Sequence, residues 1–134
     1  MYKYLLQEKN FSYSNDKNSI NFYSNKMKIN LKDNIDINFS LKAKVLALDS
    51  EYNLRNNDDF KKLESTFNTN LEENLYKFIT FLQEKKTDIL GINYKHYLMT
   101  RNDDENYFSK TKIKVKVNIG INKPGLTVRG VTNE

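Results

Sequence analysis

At 134 residues the chain has the length of one ordinary domain, enough to bury a real core and too short for two independent folding units. Its apolar fraction is only 38%, but nine Tyr and eight Phe supply large side chains that each bury much area, so a folded domain is favoured over disorder. The lack of cysteine excludes a disulfide framework, a thiolate nucleophile and any Cys-based metal centre, and the net charge of +5 raises the question of where the basic residues sit.

Residues 1–19 contain no apolar run long enough for a signal-peptide core. No window anywhere approaches the ~18–20 apolar residues of a membrane span, so the chain as given reads as soluble, with 1–19 a flanking strand or tail. In "SINFYSNKMKINLKDN" the apolar beats Ile20, Phe22, Met27, Ile29 and Leu31 alternate weakly, and Lys32 to Asn34 carry turn chemistry, which predicts one or two strands and a turn. The next segment alternates strictly, with Ile35, Ile37, Phe39, Leu41, Ala43, Val45 and Ala47 on one face and Asp36, Asn38, Ser40, Lys42 and Lys44 on the other. It reads as a long half-buried strand, hairpinned to its predecessor.

After "RNNDD" the period changes to three and four: Phe60, Leu63, Phe67, Leu71, Leu75, Phe78, Ile79 and Leu82 form the apolar stripe of a long helix. Asn57 or Asp58 is placed to cap its start, and Lys85 and Lys86 fall where its last turn is expected. Ile89, Leu90, Tyr94, Tyr97 and Leu98 then suit a second, shorter helix, capped by Thr87 or Asp88 and broken or bent near Gly91 and Asn93. An acidic loop, "RNDDENYF", leads to the ladder "KTKIKVKVNIGI", a strand with Ile113, Val115, Val117, Ile119 and Ile121 inward and Lys112, Lys114 and Lys116 outward. Leu126 to Val131 is a last strand or a tail. These elements predict one α+β domain over residues 1–134: an antiparallel sheet of about four strands, covered on one face by the long helix and the shorter one, in the order β-β-α-α-β.

No catalytic constellation emerges, which reads as a non-enzyme without cofactor or metal. His96 stands alone, "NDDEN" lacks the alternate ligands and glycine of a calcium loop, and the acid pairs Asp58/Asp59 and Glu72/Glu73 fall on open helix positions. Charge is segregated by segment: Lys110 to Arg129 hold six basic residues and no acid, while Asp49 to Asp88 hold nine acids and six bases. Layered in opposite directions, these segments would give one basic and one acidic face. Lys112, Lys114 and Lys116, beside Lys42 and Lys44 if those strands pair, form a candidate interaction face for nucleic acid, another polyanion or an anionic membrane surface. Nucleic-acid sheets also carry stacking aromatics or arginines, which the ladder lacks, and lysines on a strand serve equally to keep a solvent face wet.

In order, the strand pair, the helix ending "FLQEKKTDILGI", the short helix and "KIKVKVNIGINKPG" resemble the C-terminal domain of the Ger(x)C family, lipoprotein C subunits of germinant receptors in spore-forming bacteria. The residues that carry the resemblance are Leu63 and Glu64 in the early helix, Gln83, the "DILG" of Asp88 to Gly91, Phe108 and the alternating strand up to Gly125, over about Ile20 to Gly125. Where members of that family usually have a second glycine this chain has Asn93, which tolerates the left-handed conformation such a turn would need. The resemblance implies an interaction domain of a receptor subunit in nutrient-triggered germination. Its partners would be the membrane-embedded A- and B-type subunits, on the outer face of the spore inner membrane, with a lipid anchor on another part of the protein.

Overall fold

The structure is a computed structural model that describes residues 2–5, 8, 10–15, 18–47 and 57–122. Its elements are α1 (Tyr2–Leu5), β1 (Phe11–Asn15), β2 (Asn18–Leu31), β3 (Ile35–Ala47), α2 (Asn57–Glu84), α3 (Ile92–Thr100), α4 (Tyr107–Lys110) and β4 (Ile113–Asn122). The strands form one four-stranded sheet in the order β1-β2-β3-β4. Ile35, Ile37, Phe39, Leu41 and Ala43 of β3, with Val117, Ile119 and Ile121 of β4, turn one face toward the α2 stripe of Phe60, Leu63, Phe67, Leu71, Leu75, Ile79 and Leu82. All of these side chains are buried, as strict alternation on strands and three-four spacing on a helix dictate.

The α+β class and the four strands agree with the sequence pattern, while three details differ from it. β1 and β2 pair antiparallel, as do β2 and β3, but β3 and β4 run parallel, so the sheet is mixed rather than antiparallel. Alternation tells which side chains face inward and carries no information about strand direction. Direction is set by the connection: 28 residues of α2 span ~42 Å at 1.5 Å each, matching the ~43 Å of the 13-residue β3, so the helix returns the chain to the starting end. Second, the order is β-β-β-α-α-β, because β1 within the N-terminal segment is a full member of the sheet, and α1 and α4 add single turns. Third, the short helix α3 does not cover the sheet. Of its residues only Ile92 is buried, and it rests against α4 at the C-terminal end of α2.

The weak alternation of β2 has a local cause. The register slips between Phe22 and Ser24, so Tyr23 is an extra residue in the strand and the inward set passes from Ile20 and Phe22 to Asn25, Met27, Ile29 and Leu31. Of the one or two strands expected here, the structure has one, bulged. Inward-facing Asn25 donates its amide to the carbonyls of Tyr4 and Glu8, at 3.3 and 3.2 Å, tying the N-terminal turn to the sheet. Tyr4, Phe11, Tyr13 and Phe22 then form an aromatic cluster with ring centroids 4.9 to 6.4 Å apart, Tyr4 meeting the other three rings edge to face.

α2 ends at Glu84, one residue short of Lys85 and Lys86. Lys86 takes the left-handed conformation (φ 54°) while its N–H reaches the Gln83 carbonyl and that of Thr87 the Leu82 carbonyl, the paired bonds of a Schellman end built without glycine. The start of α2 adjoins residues outside the described set, as does the segment Leu126 to Val131.

Candidate docking surfaces

Gln83, Asp88, Gly91 and Phe108 come together in one junction where α2 hands over to α3 and β4. The Gln83 amide donates to the Phe108 and Thr111 carbonyls at 2.7 and 2.6 Å, fixing the turn before β4 onto the end of α2. Asp88 accepts from the N–H groups of Ile92 and Asn93, both at 2.8 Å, which satisfies two of the orphan donors at the start of α3 and places an anion at its positive end. Gly91 supplies the left-handed turn between them (φ 66°). Asn93 does not take that conformation: it lies within α3, and its side chain accepts from Phe108 N–H at 2.8 Å and donates to the Glu105 carbonyl at 3.0 Å. Its value is a two-ended bridge, a role no glycine could fill. Phe108 itself is buried, and Gly125 lies outside the described residues.

This junction holds α3 out from the domain. Tyr94, Tyr97, Leu98 and Met99 are all exposed, Tyr94 to 65% and Met99 to 57%, although the spacing of Tyr94, Tyr97 and Leu98 predicts an inward stripe. Beside them a groove of about 430 Å3 is lined by Asn93, Tyr94, Tyr97, Asp103 and Glu105. His96 stacks flat on Tyr107 (centroids 3.7 Å apart, 11° between planes), so its ring is a packing surface between α3 and α4. In the acidic loop Asp104 pairs with Lys110 at 2.7 Å and accepts from Asn106 N–H. The Lys110 bond first, and the Asn106 bond second, hold its carboxyl below the usual carboxylate range. Among the described residues no group of three or more His, Asp or Glu is placed to hold a metal ion.

All five lysines singled out in the sequence, Lys42, Lys44, Lys112, Lys114 and Lys116, are exposed. β3 and β4 do pair, but the parallel register sets Lys42 opposite Gly120 and Lys44 opposite Asn122, while Lys114 meets Asp36 and Lys116 meets Asn38. The two groups are therefore staggered along the sheet rather than side by side. Lys26 and Lys28 of β2, opposite Ser40 and Asn38, extend the same exposed face. They were legible only once the Tyr23 bulge put them in phase.

The acidic segment does not form the matching open face. Glu64 and Glu72, with Asn68 between them, turn to the outer edge of β4 and accept from the N–H groups of Ile121, Val117 and Ile119 at 3.0, 3.0 and 2.8 Å. Four helical residues rise ~6.0 Å and two strand residues ~6.6 Å, so a comb of side chains at i, i+4 and i+8 meets every outward N–H of an adjacent strand. The helix thereby closes the Val117 to Ile121 part of an edge that would otherwise invite pairing with another chain.

In sequence the chain matches the family model described as "Spore germination B3/ GerAC like, C-terminal" over residues 6–125. The chain belongs to this family, that of the C-terminal domain of germinant receptor C subunits. The match reaches back past Ile20 to take in β1, in keeping with that strand's place in the sheet. The solved "Crystal Structure of the GerBC protein" has a similar fold: TM-score 0.56 at 18% identity, over 83% of this chain. The chain spans 39% of the length of that structure. No curated protein matches it in sequence. Among the described residues no helix is long and apolar enough to cross a membrane.

Proposed function

We propose that this is a non-enzymatic docking domain of a germinant receptor C subunit, acting in nutrient-triggered germination by contact with the membrane-embedded A- and B-type subunits at the outer face of the spore inner membrane. The observation that carries the reading is α3. A junction of six hydrogen bonds and the Gly91 turn holds the helix out with Tyr94, Tyr97, Leu98 and Met99 in water, an arrangement that gives the domain itself little and suits a partner's apolar surface. The family membership supports other receptor subunits as the class of partner.

The lysine face, Lys42, Lys44, Lys112, Lys114 and Lys116 joined by Lys26 and Lys28, is then the side turned toward anionic headgroups, where each lysine gains about 1 kcal/mol near the surface. The anchor in this reading is a lipid on another part of the protein, since the chain has no cysteine.

Replacing both Tyr94 and Leu98 by Ser in the receptor subunit tests it. Both side chains are exposed, so the folding stability of the chain should move by less than about 0.5 kcal/mol for each. Spores carrying the variant should respond slowly to nutrient while retaining normal levels of the subunit. Germination at the parental rate would contradict the docking role.

A further inference from the structure

Half-way along its outer edge, the hydrogen bonding of β4 changes. Ile35 N–H donates to the Lys112 carbonyl, which in a parallel ladder aims the backbone groups of Lys112, Lys114 and Lys116 at β3 and those of Ile113, Val115, Val117, Ile119 and Ile121 away from it. The last three of these N–H groups end on Glu72, Asn68 and Glu64. The next tooth of the helical comb falls at Tyr76, which brings neither carboxylate nor amide and stands 44% exposed. The one after it is Thr80, whose hydroxyl bonds back to the Tyr76 and Lys77 carbonyls of its own helix. Among the described residues, the outward N–H groups of Ile113 and Val115 therefore have no acceptor.

This stretch is framed at both ends, by Gln83 holding Thr111 and by Glu72 holding Val117. Between the ties lies a groove of about 740 Å3, with Lys112, Lys114 and Lys116, and Asp36 and Asn38 of β3 beside them, on one wall and Glu72, Glu73 and Tyr76 on the other. The opening measures ~16 Å along the helix and ~20 Å along the strand, room for about five residues of extended chain.

We propose that this window is a peptide-binding site, in which an extended segment of a partner protein with alternating acidic and basic side chains adds as a strand along Ile113 to Val115. Main-chain groups of such a strand satisfy the open edge. Its side chains alternate between the two walls, carboxylates lying beside Lys114 and Lys116 and cations beside Glu72 and Glu73. The site is separate from α3, so it does not depend on the docking role of that helix.

Amide NMR on the 134-residue chain, titrated with an end-blocked heptapeptide alternating glutamate and lysine, tests it. Expected are saturable shifts and slowed solvent exchange at the Ile113 and Val115 amides, with Tyr94 to Met99 unchanged. The same peptide N-methylated at alternate residues should bind at least about tenfold more weakly. Val115→Pro removes an N–H that has no partner, on an edge strand where proline is tolerated, and should abolish binding in a chain that still melts cooperatively. Absence of any saturable shift at those two amides overturns the site. So does equal binding of the N-methylated peptide, which would reduce the effect to charge attraction. A concentration-dependent dimer with Ile113 and Val115 at its seam would overturn it in favour of a second copy as the occupant.

Discussion

Replacing Gln83 by Ala strands the carbonyls of Phe108 and Thr111 at a part-buried site, and a loss of about 1–3 kcal/mol is expected in urea unfolding. The same junction makes Gly91→Ala unfavourable. Its extra carbon meets nothing within 4 Å, so the expected loss of about 1–2 kcal/mol comes from the left-handed backbone alone. Tyr4 points the other way. Its buried hydroxyl has no hydrogen-bond partner among the described residues, so Tyr4→Phe should stabilise the chain by about 1 kcal/mol, read as a raised Tm. Burial also pushes the Tyr4 phenol far above its ordinary 10.0, with a further rise from Tyr13, and raises Tyr13 and Tyr107. These phenols keep their protons in the fold and lose them in the unfolded chain. Their contribution to stability is whole below 10.0 and is lost as pH climbs from there through the raised values. An ultraviolet titration should show late-ionising tyrosines that become ordinary once the chain unfolds. Residue by residue, the resemblance singled out Gln83, Asp88, Gly91 and Phe108, and the sequence did not show what they bond. The left-handed role expected of Asn93 failed because an amide can serve a helix turn with its side chain as well as with its backbone.

Among the elements, α2 has two separable functions, and only one was legible. Its apolar stripe declares itself by spacing, whereas Glu64, Asn68 and Glu72 look like any solvent-facing helix residues until β4 is placed beside them. Asn68→Ala leaves the Ile119 N–H without its acceptor and should cost about 1–2 kcal/mol, with faster hydrogen exchange at that one amide. An unchanged exchange rate there would mean that the comb adds nothing. For α3 the sequence predicted a helix correctly and its burial wrongly. Apolar spacing shows that side chains share a face, and it cannot show whether that face has a partner within the same chain.

For the whole molecule, fold class and strand number were legible because alternation and helical period survive without any neighbour. Strand direction was not, because it depends on how far α2 carries the chain back. The parallel return of β4 staggers the lysines that a simple ladder would have grouped, and the broadened face gains Lys26 and Lys28. Reversing charge at Lys42 and Lys114 together should weaken binding to vesicles containing anionic lipid, by roughly 2 kcal/mol if both lysines reach the surface, while leaving α3 untouched. The docking claim is tested most directly by a photoreactive residue in place of Leu98 in the receptor subunit, irradiated in intact spores. Covalent adducts with a membrane-embedded receptor subunit are expected from that position. Adducts absent at Leu98 but formed from Lys114 on the sheet face would contradict the account.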